Sequence, residues 1–262
     1  MESKLESLIN AYNNSPYPSF KVTNYFPIYV DLFSQLVNTE CTFIETGILN
    51  GGSLFMWRKW LGEKARIIGV DLNPSAKKWE QHGFEIYIGD QGDPKFWLDI
   101  LPKIGSFDVL LDDGGHQSFQ QIVTLVEAIK FGKNSSLIVI EDTVSSHLDE
   151  FSKFHRNNSF LEYAKRSTDI LSSRNSELWP GQYPVKRNKQ IIDLYENIYS
   201  IQFYTGIVAF KINSSLNIKP ELVSNQKKSQ GESDYRYAGK NSATVLWPDP
   251  FEVNTVVVNG KD

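Results

Sequence analysis

The sequence predicts an α/β fold: a mostly parallel, seven-stranded sheet with helices on both faces and a late antiparallel hairpin. Three observations carry this. Short β-branched or aromatic apolar runs recur between residues 41 and 143. Helix-like segments alternate with them. The runs are apolar almost throughout rather than at every second position, which is the pattern of strands buried on both faces.

The elements follow in order. Residues 1–40 read as an N-terminal helical segment, because ESLINAYNN and IYVDLFSQLVN carry apolar residues at mixed i, i+3 and i+4 spacings. Five strands are expected at CTFIETG (41–47), ARIIGVDL (65–72), FEIYIGDQ (84–91), FDVLLDDG (107–114) and SLIVIEDT (136–143). GSLFMWRKWLG, PKFWLDILPKI and SFQQIVTLVEAIKFG supply helices between them. After residue 143 the alternation stops. HLDEFSKF and SFLEYAKRSTDILSS read as helical. RNSELWPGQYPVKRNKQ (174–190) is aromatic, basic and broken by Pro and Gly, so a loop or lid is expected there. IYSIQFYTGIVAFKIN (198–213) is two strand-like runs joined at Thr205-Gly206, a hairpin that brings the strands to seven. The expected organisation is thus a helical segment at 1–40, a core at 41–213 with a substrate or lid insertion at 144–197, and a polar extension at 214–262.

Composition bounds the function. The 262 residues carry a net charge of −4, with 40% hydrophobic and 22% charged residues, which suits one large domain with a sizeable core. The acid excess argues against a nucleic-acid backbone as the main partner. The single cysteine, Cys41, excludes an intramolecular disulfide and a cysteine-based zinc site; it is expected as a buried core thiol. MESKLESLINAYNNS lacks a signal peptide's apolar core, and no apolar run approaches the roughly 20 residues of a membrane span. A cytoplasmic protein with no membrane or nucleic-acid partner is expected, and the Trp- and Tyr-rich periphery is compatible with a homo-oligomer.

Every predicted strand ends in acid: Glu45, Asp71, Asp90, the pair Asp112 and Asp113, then the pair Glu141 and Asp142. Ligands of open α/β sheets bind beyond the carboxyl ends of the strands. One such acid is an ordinary helix cap; five strands in succession point to a shared crevice. The first turn, ETGILNGGSL, is glycine-rich, but Gly47, Gly51 and Gly52 do not follow G-x-G-x-x-G. Glu45 would also repel the pyrophosphate that a dinucleotide loop holds. A cationic ligand suits it better, such as S-adenosylmethionine. Asp71 is then placed to accept the ribose hydroxyls and Asp90 the adenine amino group. Asp113, Glu141 and Asp142 offer hard oxygen donors to a divalent cation, Mg²⁺ first, with Mn²⁺ or Ca²⁺ as alternatives. His116 follows Asp113 by three residues, one turn on if a helix starts there, so both are expected to face one cavity. Asp112 is assigned either to capping the next helix or to orienting His116. His82, His147 and His155 are expected at the surface, and Trp57, Trp60, Trp79 and Trp97 in packing.

These segments resemble the metal-dependent sugar O-methyltransferases of macrolide biosynthesis. The resemblance is carried by FIETGILNGGSLFMWRKWL, IIGVDL, GDQGDPKFW, FDVLLDDGGHQ, LIVIEDT and IQFYTGIVAFKIN, with GDQ, DDGxH and IED in that order. It implies a Rossmann-like class I S-adenosylmethionine methyltransferase fold. It implies Mg²⁺ on Asp113, Glu141 and Asp142, a base at His116, and cofactor contacts at Glu45, Gly47, Ser53, Asp71, Asp90 and Gln91. The acceptor would be a hydroxyl of a sugar, a sugar nucleotide, a sugar-bearing natural product or a polysaccharide precursor. Apart from the resemblance, Trp179, Tyr183 and Lys186 in the 174–190 loop are placed either to close over the acceptor or to anchor an exposed loop, and Arg174 and Lys186 would suit a nucleotide-linked or acidic sugar. Three rival readings stand: a catechol-type phenol O-methyltransferase, a non-catalytic binding module on the same fold, and an NAD-dependent oxidoreductase, the last disfavoured by Glu45 and the glycine spacing.

Overall fold

The structure is a computed structural model. It describes residues 3–151, 159–174, 194–216, 218, 221 and 223, and the backbone of two strands at 243–248 and 253–258. The chain divides into two units, Met1–Pro220 and Glu221–Asp262.

The first unit opens with helices α1 (Lys4–Asn13) and α2 (Tyr25–Phe33). Ser3 and Glu6 form a capping box that fixes where α1 begins. Then strand and helix alternate: β1 (Thr42–Thr46), α3 (Gly52–Leu61), β2 (Arg66–Asp71), β3 (Glu85–Ile88), α4 (Pro94–Ile104), β4 (Val109–Asp112), α5 (Ser118–Ile129) and β5 (Leu137–Ile140). A 3₁₀ segment, Pro74–His82, stands where a helix would join β2 to β3. Helix α6 (Phe160–Ser172) precedes the hairpin of β6 (Ile198–Tyr204) and β7 (Ile207–Ile212). Its turn is at Thr205-Gly206, where Gly206 has φ +78.

The sheet order is β3-β2-β1-β4-β5-β7-β6. The first five strands are parallel and β7 runs antiparallel to β5 and β6. Alternate residues feed two cores, as a pleated strand requires. Phe43, Ile67, Val109, Leu111 and Val139 face one side with α1, α2 and α3, where Tyr29, Phe33 and Trp57 fill the space. Ile44, Ile68, Leu110, Ile138 and Ile140 face the other with α4, α5 and α6, where Trp97, Leu125 and Phe160 do so. Helices α1 and α2 thus belong to the first core: Leu8, Tyr29 and Phe33 are fully buried. Trp57, Trp60, Trp79, Trp97 and Cys41 are buried as expected, and His82 and His147 are exposed. Trp179, Tyr183, Lys186 and His155 lie outside the described residues, as does most of the 174–190 loop.

The second unit is described by β8 (Ala243–Pro248) and β9 (Val253–Val258), an antiparallel pair. The polar extension expected at 214–262 otherwise lies mostly outside the described residues.

Candidate active site

The strand order reverses between β1 and β4, so their carboxyl ends splay apart and leave a crevice. A cavity of about 580 Å³ opens there, and a second of about 250 Å³ adjoins it. Of the expected cofactor residues, Gly47, Ser53, Asp71, Asp90 and Gln91 line the larger cavity. Asp113, His116 and Asp142 line it too.

The β1–α3 turn is built by close approach. Gly47 has φ +81, and a Cβ there would collide with the carbonyl oxygen of Asp113. Asp71 organises the same turn: its Oδ2 accepts from the amides of Ile48 (3.1 Å) and Leu49 (3.2 Å), and its Oδ1 from that of Asn73 (2.8 Å). Asp90 accepts from the Gly92 amide at 2.7 Å.

The DDGGHQ loop is braced from below. Gln91 Nε2 donates to both oxygens of Asp112, at 2.9 and 3.0 Å, while its Oε1 accepts from the Gly115 amide at 2.8 Å. Gln91 is therefore spent on the protein, and it acts on the cavity by shaping this loop rather than by offering a free polar atom. Asp112 is buried, and burial pushes its carboxyl up while the Gln91 bond opposes this. It holds the loop rather than capping α5. That helix starts only at Ser118, so His116 is not one helical turn beyond Asp113. A left-handed backbone at His116 (φ +57) accompanies its place on the cavity wall. Asp142 is left-handed as well (φ +52). Two non-glycine residues in that region at one site store backbone strain.

Asp113, His116 and Asp142 offer ligand atoms within 4.8 Å of one another. His116 Nε2 lies 3.6 Å from Asp142 Oδ2, and its buried Nδ1 has no hydrogen-bond partner among the described residues. The two carboxylates suit a hard divalent cation, and the imidazole is a donor that such a cation takes less readily than oxygen. The set differs from the expected Asp113, Glu141 and Asp142. Glu141 is 1% exposed and already engaged: Tyr29 Oη donates to its Oε1, and Lys21 Nζ lies 3.2 Å from its Oε2.

Lys21 is the residue that sequence reasoning missed. Its ammonium sits 2.6 Å from Asp113 Oδ2, 3.2 Å from Glu141 and 3.4 Å from Glu45, with the side chain 2% exposed. Burial alone would pull the ammonium's pKa down; the carboxylates of Glu141, Asp113 and Glu45 outweigh it and hold Lys21 well above the usual lysine range. Burial pushes Glu45 and Glu141 up, and Lys21 opposes both shifts. Glu45 also accepts from Ser53 Oγ (2.6 Å) and Trp57 Nε1 (3.1 Å), is fully buried and does not line either cavity. The direct cofactor contact expected of Glu45 is therefore replaced by an internal one. Tyr25 completes the group, donating to Asp142 Oδ1 at 2.7 Å. No local signal marks Lys21, Tyr25 or Tyr29: they lie in the helical segment before β1, and their partners are 117 and 112 positions away for the two tyrosines. Arg174 donates to the backbone carbonyls of Tyr195 and Ile198, which gives it a structural role.

No family model matches the chain. It is 22% identical over 193 residues to the 8-demethyl-8-alpha-L-rhamnosyl tetracenomycin-C 2'-O-methyltransferase of Streptomyces olivaceus, covering 71% of this chain and 49% of that one. It is 25% identical over 203 residues to the mycinamicin VI 2''-O-methyltransferase of Micromonospora griseorubida, with the same coverages of 71% and 49%. The chain thus spans about half the length of these curated relatives. Among solved structures it superposes on the MycE methyltransferase from the mycinamycin biosynthetic pathway, in complex with Mg, SAH and mycinamycin VI. The TM-score is 0.68 at 20% identity, over 87% of this chain and 58% of that one. Over about 71% of its length the chain is similar to curated sugar O-methyltransferases of mycinamicin and tetracenomycin biosynthesis, and it shares the Rossmann-like fold of the MycE methyltransferase.

Proposed function

We propose that the protein transfers a methyl group from S-adenosylmethionine to a hydroxyl of a sugar or sugar-bearing small molecule, with a divalent cation, Mg²⁺ first, at the acidic strand ends. The observation that carries this is the 580 Å³ cavity over β1 and β4, with Asp71 and Asp90 on its wall together with Asp113, His116 and Asp142. The relatives' names support a sugar hydroxyl as acceptor, and the SAH and Mg in the MycE structure support the cofactor and metal.

When bound, S-adenosylmethionine supplies an electrophilic methyl group, and a divalent cation supplies Lewis acidity toward an acceptor hydroxyl. The chain's own residues do the rest. Asp71, already fixed by three backbone amides, presents its carboxylate where ribose hydroxyls can donate to it. Gly47 keeps the first turn close enough to β4 for both substrates to share one cavity. Asp113 and Asp142 would hold the cation, with His116 or Glu141 as third donor. His116, whose Nε2 lies 3.6 Å from Asp142 Oδ2, would accept the acceptor's proton. Positioned proton transfer of this kind contributes about 10²–10⁴-fold.

The test is titration of S-adenosylhomocysteine and of NAD into the protein, followed by a methyl-transfer screen over free sugars, sugar nucleotides and glycosylated natural products. The proposal requires binding of S-adenosylhomocysteine and transfer to at least one glycosylated acceptor that His116→Gln abolishes. Binding with no transfer to any acceptor would favour the binding-module reading. Transfer to catechols alone would favour a phenol acceptor. NAD binding without S-adenosylhomocysteine binding would refute both.

A further inference from the structure

We propose that Lys21 is a tethered cation that competes with the divalent metal ion for Asp113 and Glu141, so that loading the metal requires the Lys21 strap to withdraw. This rests on the methyltransferase reading above.

The geometry argues for competition. Glu45, Asp113, Glu141 and Asp142 gather at the ends of three neighbouring strands, and Lys21 is the cation that touches three of them. A Mg²⁺ ligated by a carboxylate oxygen sits about 2.1 Å from it. The ammonium is 2.6 Å from Asp113 Oδ2 and 3.2 Å from Glu141 Oε2, so it fills the space between the two oxygens that a shared metal would need. Two cations against the same oxygens repel, and one must leave. With the ammonium in place, the donor set that remains within 4.8 Å is Asp113, His116 and Asp142. With it gone, Glu141 becomes available and His116 is released from ligation to act as base.

The strap that carries Lys21 is poorly anchored by its own apolar groups. Phe20 is 74% exposed and Val22 49% exposed on either side of the buried ammonium. Backbone carbonyls tie its base: Tyr12 Oη donates to Ser19 O and Ser15 Oγ to Gly52 O, both at 2.8 Å. Toward α2 the next ties are Asn24 Nδ2 to Thr205 O (3.3 Å) and Tyr25 Oη to Asp142 Oδ1 (2.7 Å), so between Ser19 and Asn24 the side chain that holds the strap to the acids is Lys21 among the described residues. Phe20 lines both cavities, so withdrawal of the strap also changes the wall between them. Linkage then makes metal binding and strap opening reciprocal.

Two experiments on the full chain test this, with Mn²⁺ as the probe. In the first, Mn²⁺ is titrated by calorimetry and by electron paramagnetic resonance into wild type and Lys21→Met. The variant should bind Mn²⁺ about tenfold tighter or more, within the usual range of coupling between sites. Unchanged or weaker affinity, or no Mn²⁺ binding by either protein, overturns the proposal. In the second, which needs no variant, lysine acylation of wild type is mapped by mass spectrometry. Lys21 should be protected without metal and should label about tenfold faster with saturating Mn²⁺. Protection that persists with Mn²⁺ bound overturns the proposal even if Lys21→Met fails to fold. Failure of the methyltransferase reading would show separately, as no binding of S-adenosylhomocysteine to wild type.

Discussion

Lys21 Nζ and Asp113 Oδ2 lie 2.6 Å apart although 92 positions separate them in the chain. The pair locks the N-terminal segment over the carboxyl end of β4. Removing the ammonium by Lys21→Ala strands Glu45 and Glu141, both buried, without their cation. Breaking a buried pair in this way costs about 3–5 kcal/mol. Urea unfolding without metal should show the midpoint falling accordingly at constant m-value. Wild-type stability in the variant would mean the ammonium does not sit in this cluster in solution.

Gln91 predicts a second effect. Its amide is the brace between Asp112 and Gly115. Gln91→Ala deprives a buried carboxylate of the amide nitrogen that bonds both its oxygens, for about 1–3 kcal/mol. The Gly115 amide should then exchange with solvent markedly faster while amides of α4 stay protected. Unchanged Gly115 exchange would remove Gln91 from the support of the His116 loop.

The sheet, its order of elements and the hairpin at Gly206 were legible because nearly continuous apolar runs and turn residues are local signals. Asp71, Asp90, Asp113, His116 and Asp142 were legible as well, since a strand-end position in a parallel sheet fixes which edge a residue reaches. What these residues do there was not. Glu45 and Gln91 are of the right type and near the right place, yet each finds internal partners: Glu45 in Ser53, Trp57 and Lys21, and Gln91 in Asp112 and Gly115, 21 and 24 positions away. His116 reaches the cavity wall with a positive φ, not through a helical turn, and a single sequence carries no sign of that. Lys21 was illegible because one lysine between Phe20 and Val22 reads as a surface residue; only folding of α2 against β1 and β5 brings it among the acids.

Gly47→Ala should fail for steric reasons. The added Cβ meets the Asp113 carbonyl in a backbone conformation that alanine rarely adopts. Strain at such a position costs about 1–3 kcal/mol. Calorimetry should show a lower Tm together with weakened S-adenosylhomocysteine binding. An unchanged Tm would mean the β1 turn stands further from β4 than described.

Cys41 gives a pH-dependent prediction away from the site. Burial pushes its thiol up to about 11 from an ordinary value of 9.0. The folded state therefore holds this proton more tightly than the unfolded one. Its contribution is unchanged below pH 9, and stability falls as pH rises from 9 toward 11. Cys41→Ser, whose hydroxyl does not titrate there, should lose part of that decline in urea titrations at pH 8, 9.5 and 11. Native Cys41 should also resist alkylation at pH 8 until urea unfolds the chain. Rapid alkylation of the folded protein would contradict its burial.

In the proposed function the cavity over β1 and β4 binds S-adenosylmethionine through Asp71. The most direct measurement is calorimetric titration of S-adenosylhomocysteine into wild type and Asp71→Asn. Binding to wild type should be saturable and one-to-one, and binding to the variant at least about tenfold weaker, the loss of one charge-assisted hydrogen-bond pair. No binding to wild type, or equal binding to both proteins, would contradict it.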